Sequence, residues 1–251
     1  MKVSIITAVF NSRATIEDCI KSVRNQNYKP EHVIIDGQST DGSIDIINQC
    51  RTSDSIFRSE PDRGFYDAIN KGLKFASGDV IGILNADDVY AHDRVLETVT
   101  ACFADEDVDS CYGDLVYVDP LNTACIRRYW RSNPYREGLF LRGWMPPHPT
   151  FFVRRNAYEK YGGFNLELGT AADYELMLRF LAKHEITTRY IPEVLVKMRM
   201  GGQSNATFKM RLMANRMDRK AWTVNGLKPH SWTLLMKPLS KIGQYFFRAR
   251  I

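Results

Sequence analysis

Val80-Ile81-Gly82-Ile83-Leu84-Asn85-Ala86-Asp87-Asp88 sets the fold class. Its first five residues are apolar and uncharged, as in a strand buried on both faces. The run then halts at amide and carboxylate side chains. Upstream the pattern occurs twice more. Val3-Ser4-Ile5-Ile6-Thr7-Ala8-Val9-Phe10 ends at Asn11-Ser12-Arg13, and Val33-Ile34-Ile35 ends at Asp36-Gly37 and the turn Gln38 to Gly42. Helical spacing fills the intervals. Ile16, Cys19, Ile20 and Val23 share one face, with Glu17 and Asp18 early and Lys21 and Arg24 late, as the helix dipole favours. Further helices carry Ile44 and Ile47, then Tyr66, Ile69 and Leu73, then Val95, Leu96, Val99 and Phe103, and Ser55-Ile56-Phe57 is a short strand. Strands alternating with helices give an α/β fold, a mixed but mainly parallel sheet with helices on both faces. Ligands of such sheets sit at the carboxyl ends of the strands. Three polar clusters fall there: Thr7 to Asn11, Asp36 to Asp41, and Asn85 to Asp88.

The second half is less regular. Cys111 to Val118 and Ile126 to Arg131 read as strands. Trp144 to Val153 reads as an extended run whose Pro146, Pro147 and Pro149 suit a sheet edge. Asp173 to His184 reads as a helix with Leu176, Met177, Phe180 and Leu181 on one face; Ile186 to Ile191 and Val194 to Met198 read as short strands. Phe208 to Trp222 reads as a basic helix.

The 251 residues suit one large domain with an appendage, and 44% hydrophobic with 25% charged residues is globular usage, which excludes disorder and coiled coil. No stretch approaches the ~20 apolar residues of a spanning helix. The opening run lacks a small-residue cleavage site, so it is expected to be a strand rather than a leader, and the chain cytoplasmic. The five cysteines are scattered without a CxxC pair, which points to buried thiols rather than zinc or disulfides. The net charge of +5 hides a division. Residues 197–251 hold twelve lysines or arginines against one acid, Asp218, a net +11, leaving −6 in the first 196. The expected units are therefore 1–204 and a basic helical C-terminal extension, 205–251. In the latter Trp232, Leu235, Leu239, Ile242 and Phe246 recur at helical spacing among Lys237, Lys241, Arg248 and Arg250. Such a segment suits either an anionic membrane surface, through 229–251, or docking on the body. The acidic body argues against nucleic acid as a partner.

Several residues carry a chemical reading beside a plainer one. Asp87 and Asp88, with Asn85, offer hard oxygen ligands for Mg²⁺ or Mn²⁺, or else a turn that caps the next helix. Asp36 can accept from a base N–H or a ribose hydroxyl, or brace a turn. Arg63, in Glu60-Pro61-Asp62-Arg63-Gly64, can contact a pyrophosphate or form a surface ion pair. Asp173, at a helix start, can take a proton from an attacking hydroxyl or only cap its helix. His148, framed by Pro147 and Pro149, is either aimed into a site or packed. Gly201-Gly202-Gln203-Ser204 is a flexible turn. Neither GxGxxG after a strand nor GxxxxGK[ST] occurs, which weighs against dinucleotide and P-loop NTPase readings.

Together these residues resemble the family 2 glycosyltransferases of the GT-A, Rossmann-like fold, from Val3 to about Ser204. The resemblance is carried by Val3 to Asn11, by Val33-Ile34-Ile35-Asp36-Gly37 with Ser39-Thr40-Asp41-Gly42-Ser43, and by Ser59 to Gly64 with Tyr66-Asp67-Ala68-Ile69-Asn70-Lys71-Gly72 and Ala76-Ser77-Gly78-Asp79. Leu84-Asn85-Ala86-Asp87-Asp88 stands at the family's DxD position, with Asn85 in place of its first acid. Ala172-Asp173-Tyr174-Glu175-Leu176 stands at its base motif, with Ala172 in place of the usual glutamate. The pattern is most similar to enzymes of bacterial surface polysaccharide such as colanic acid or capsule. The resemblance implies a metal-dependent inverting transfer from a nucleotide sugar, commonly a UDP-sugar, to a hydroxyl of a glycan or lipid-linked acceptor. It further implies that Thr7, Ala8, Asn11, Asp36, Arg63, Asn85, Ala86 and Asp87 bind the nucleotide sugar, that Asp87 and Asp88 hold the ion, and that Asp173 is the base. A lipid-linked acceptor would bring the basic extension to the inner face of the cell membrane. Two rival readings are a sugar-phosphate nucleotidyltransferase and a non-catalytic scaffold.

Overall fold

The computed structural model describes residues 1–201, 208–239 and 244. One sheet organises them. Strands β1 (Val3–Val9), β2 (Glu31–Asp36), β3 (Ile56–Ser59) and β4 (Val80–Ile83) pair in parallel in the order β3-β2-β1-β4. Helices α1 (Ile16–Arg24), α2 (Ser43–Cys50) and α3 (Phe65–Phe75) make the crossovers. Every residue of β1 is buried, as a central strand covered on both faces requires. The apolar stripe of α1 is buried as its spacing predicts, at Ile16, Cys19, Ile20 and Val23. Helix α3 lies so close to the sheet that a Cβ at Gly72 would collide with Ile6 and touch Ile35.

Beyond β4 the sheet changes sense. Its order continues β8 (Phe152–Arg154), β6 (Ser110–Val118), β9 (Thr188–Arg199) and β5 (Val89–Tyr90), with β7 (Ile126–Trp130) paired to β6. Strand β8 is antiparallel to both β4 and β6, and β6 is parallel to β9. This mixed, mainly parallel sheet matches the expected class, with three corrections. The Trp144–Val153 run is not an edge strand. Its prolines lie ahead of the strand, in a chain that makes a 3₁₀ turn at His148–Thr150, so β8 escapes their missing amides and sits between β4 and β6. The runs Ile186–Ile191 and Val194–Met198 form one strand, β9. Pro192 falls where the β6–β9 register slips, between the Tyr112–Tyr190 and Asp114–Val194 pairs.

The third correction concerns the Asp173–His184 helix. Helix α6 (Ala172–Leu178) passes into a π turn at Arg179–Lys183, closed by the His184 amide on the Arg179 carbonyl. Arg179 is held there by Glu175 at 2.9 Å and by the carbonyls of Tyr161, Gly162 and Gly163, just after α5 (Arg155–Tyr161). Helix α4 (Val95–Cys102) packs its apolar face in the core. Of the extension, α7 (Phe208–Val224) packs on α6. The Trp222 indole donates to the Tyr174 hydroxyl and the Asn225 amide to Glu175. Helix α8 (Thr233–Leu239) is tied down by Thr233 on the Leu141 carbonyl and by Lys237 on Asp218. Ile242 and Phe246, and Gly202 to Ser204 of the glycine turn, lie outside the described residues.

Candidate active site

The carboxyl ends of β1, β2 and β3 are stitched together by short polar side chains. The Ser39 hydroxyl donates to Asp36 at 2.5 Å and accepts from the Asn11 amide at 2.8 Å. The Ser59 hydroxyl and the Ser39 amide also donate to Asp36, which is fully buried. The Asn11 side chain accepts from the Thr40 amide, and Asn11 holds a left-handed φ of 48° to do so. Gly37 allows a tight junction, since a Cβ there would collide with the Asp62 carboxylate. Beside it Phe10 is 62% exposed. Thr7 and Ala8 are buried within β1. The Thr7 hydroxyl pairs with His32 at 3.1 Å beneath α1, so its side chain faces the interior. Arg63 stands exposed at the start of α3, with its guanidinium on Asp67 at 3.1 Å.

The loop after β4 is braced from below and from the side. The Asn85 carbonyl accepts from the Cys19 thiol and its side-chain amide donates to Asp88. Asp88 is fully buried and also accepts from the Arg199 amide, and Ala86 is buried. Arg199, at the end of β9, donates to the Asp87 carbonyl at 2.7 Å, the Asp18 carboxylate at 2.6 Å and the Pro120 carbonyl. These bonds leave the Asp87 side chain as the half-exposed carboxylate of the loop. Burial raises its pKa, against the lowering charges of Arg199 and His148. A carboxylate that burial makes reluctant to ionise gains from a cation, and a hard oxygen donor suits Mg²⁺ or Mn²⁺. Among the described residues no group of three His, Cys, Asp or Glu forms a metal cage.

Asp173 opens α6 from across the sheet. One of its oxygens accepts from the Tyr174 amide at 2.7 Å, and the other lies 3.3 Å from His148 Nδ1. Tyr66, in the first turn of α3, faces the same carboxylate. Burial and the Asp173 charge push its phenol well up. His148 thus lies 3.3 Å from Asp173, and its charge also acts on the Asp87 carboxyl, lowering its pKa. The acids are 86 positions apart in sequence, yet both feel the charge of one imidazole. Tyr66 and Arg199 are site residues that the sequence reading missed. Tyr66 had the spacing of a core residue, and Arg199 was indistinguishable from the tail's other cations. Two cavities, of about 780 and 430 Å³, lie apart from this chemistry and are lined mainly by residues 133–142 with parts of the extension.

The family described as glycosyl transferase family 2 matches residues 4–162, nearly two thirds of the sequence. The chain belongs to glycosyltransferase family 2. Similar sequences agree. An uncharacterised glycosyltransferase of Mycobacterium tuberculosis (strain H37Rv) is 35% identical over 185 residues, covering 70% of this chain and 68% of its own. A PGL/p-HBAD biosynthesis glycosyltransferase of Mycobacterium bovis (strain BCG / Pasteur) is 30% identical over 207 residues, covering 80% and 78%. The fold is that of GT-A glycosyltransferases. Staphylococcus aureus TarS 1-349 in complex with UDP-GlcNAc superposes with a TM-score of 0.68 at 17% identity, over 94% of this chain and 69% of that one. The mannosyltransferase PcManGT of Pyrobaculum calidifontis, in complex with GDP-Man and Mn²⁺, gives 0.65 at 19% identity, over 94% and 68%. In this family 2 glycosyltransferase the strand ends β1, β2 and β4 thus face the position where such folds take ligands.

Proposed function

We propose that this glycosyltransferase moves a sugar from a nucleotide sugar to a hydroxyl of a glycan or lipid-linked acceptor, with inversion at the anomeric carbon. The observation that supports the reading is that Asp173 lies 3.3 Å from His148, whose charge also acts on Asp87. Asp87 is the half-buried acid of a braced loop at a strand end, and Asp173 is an acid held at a helix start. In the proposed reaction Asp173 removes the acceptor hydroxyl proton as that oxygen bonds to the anomeric carbon. The bond from that carbon to the diphosphate oxygen breaks on the opposite face, and the leaving group carries away the electron pair. A divalent ion, held by Asp87 on the loop that Asp88 shapes, would supply charge neutralisation for the departing diphosphate. Asn11, Asp36, Arg63, Asn85 and the backbone of Thr7, Ala8 and Ala86 line the proposed donor side.

Membership of a glycosyltransferase family leaves the nucleotidyltransferase reading without support. TarS and PcManGT bind different nucleotides, so UDP- and GDP-sugars are both candidates here. The resemblance to colanic-acid and capsule enzymes, and a place on the inner face of the cell membrane, belong to the same proposal. The exposed Trp232 and the basic segment 229–251 support the latter. No helix among the described residues is long and apolar enough to cross a membrane. The test is a panel of nucleotide sugars with Mn²⁺, read by release of nucleoside diphosphate. One donor should turn over and Asp173→Asn should abolish that turnover. Release by none, or full activity in Asp173→Asn, refutes the assignment.

A further inference from the structure

His148 stands against Asp173, and the proposed reaction gives it no task. It sits on a frame built to hold it still. Pro147 and Pro149 flank it, each with φ fixed by its ring. The 3₁₀ turn His148–Thr150 is locked to β6 through Thr150. The buried Thr150 hydroxyl bonds the Gly113 carbonyl at 3.0 Å and the Pro147 carbonyl at 2.8 Å, and it lies 3.2 Å from the Gly113 amide. A loop histidine fixed by a central strand is a rigid reference point, and what it meets is Asp173.

Asp173 has two oxygens and both are engaged. Oδ1 accepts from the Tyr174 amide, which belongs to the same helix and holds the carboxylate near the helix axis. Oδ2 faces His148 Nδ1 at 3.3 Å. An ionised carboxylate can only accept, so the imidazole presents Nδ1–H to it. The Tyr174 amide, the His148 contact and the Tyr66 phenol, which also bonds the Asp173 side chain, hold the carboxylate from three parts of the fold. Removing the histidine would take away the contact that comes from the β6-anchored turn and loosen the orientation of the carboxylate. A general base that drifts by about 1 Å from its reacting geometry can lose on the order of 100-fold in rate. We infer that His148 is a positioning residue, which orients the Asp173 carboxylate toward the acceptor hydroxyl by donating from Nδ1 to Oδ2. This rests on the reading of Asp173 as the base.

The experiment uses the full chain, the donor selected by the nucleotide-sugar panel, Mn²⁺, and water as the acceptor. Donor affinity is measured by calorimetry beside kcat. His148→Ala should lower kcat by about 10- to 100-fold while donor affinity stays within about twofold. His148→Asn, whose amide can donate from nearly the place of Nδ1, should recover much of that loss. In an Asp173→Asn background His148→Ala should cost nothing further, because there is no longer a base to aim. Thermal melting of each variant checks folding, and if His148→Ala melts early the comparison passes to His148→Asn against His148→Gln, whose amide reaches too far. A normal kcat in folded His148→Ala overturns the positioning role while leaving the base intact. Lost donor affinity at unchanged kcat overturns it too, by moving His148 to the donor side. Full activity in Asp173→Asn removes the base reading itself and the inference with it.

Discussion

At the scale of single residues, the proposed reaction separates Asp87, which serves binding, from Asp173, which serves turnover. Asp87→Ala should abolish Mn²⁺-dependent donor binding in calorimetry. Asp173→Asn should leave that binding intact while turnover falls by several orders of magnitude. A variant pair that loses both properties together would show one shared role. Beneath this chemistry lies a titration that the sequence did not announce. His32 is buried under α1 against Thr7, and burial lowers its pKa to about 4. The unfolded chain, with an ordinary value near 6.5, binds the proton more readily than the folded one. Stability from this group is therefore complete above pH 6.5 and is lost as pH falls toward 4, by on the order of 3 kcal/mol. Glu31 works in the same direction further down. Burial alone would raise its carboxyl, but bonds from Lys2, Ser4 and Ser77 outweigh that and hold it at about 2. Its contribution is lost between about 4.5 and 2. In urea titrations His32→Gln should flatten the dependence of stability on pH between 6.5 and 4 and leave the lower limb in place. The places of Asp87 after β4 and of Asp173 at the start of α6 were legible in the sequence. The roles of His32, Tyr66 and Arg199 were not, because they depend on partners 25 to 181 positions away.

Among the elements, the first half could be read because each apolar run maps onto one strand and each stripe onto one helix. The second half resisted because its elements are defined by backbone irregularity. Pro192 does not end β9. It falls in a bulge, where a missing amide is tolerated. The apolar face from Leu176 to Leu181 is real, but its backbone widens into a π turn at Arg179. That turn depends on Arg179, because the guanidinium binds Glu175 and satisfies three carbonyls at the end of α5. Glu175 is 2% exposed, so removing its partner leaves a nearly unsolvated charge. Arg179→Ala should cost about 3–5 kcal/mol in chemical denaturation. Arg179→Ala with Glu175→Gln should recover part of it. Equal losses in the single and double variants would mean that the carbonyl contacts, not the ion pair, hold the turn. Because α6 carries Asp173 at its other end, turnover in the single variant should fall together with stability.

For the whole molecule, the charge division was plain in the sequence, whereas its meaning depends on where the cations end up. The sequence left docking and membrane contact as alternatives for the extension, and the described part divides between them. Lys237 is neutralised by Asp218 and lies 3.8 Å from the Tyr174 ring centre, Thr233 is buried, and the buried Gln244 accepts from Arg128. These contacts dock α8 on the body. Trp232 instead stands 56% exposed, stacked on His230, at the head of the same helix. An exposed indole beside lysines and arginines is the composition of a membrane-interface anchor. The two roles can therefore be separated by substitution. Trp232→Ala combined with Lys241→Glu, Arg248→Glu and Arg250→Glu spares Lys237, Thr233 and Gln244, while lowering the charge of residues 197–251 from +11 to +5. Each basic residue near an anionic surface contributes about 1 kcal/mol, so this variant should lose well over tenfold in co-sedimentation with phosphatidylglycerol vesicles at 0.1 M salt. Its melting temperature and its donor turnover with water should stay as they were, because neither measurement calls on a membrane surface. Undiminished sedimentation would assign the extension to packing alone, and the acceptor would then have to reach the Asp173 side of the cleft without the tail holding the enzyme at its surface.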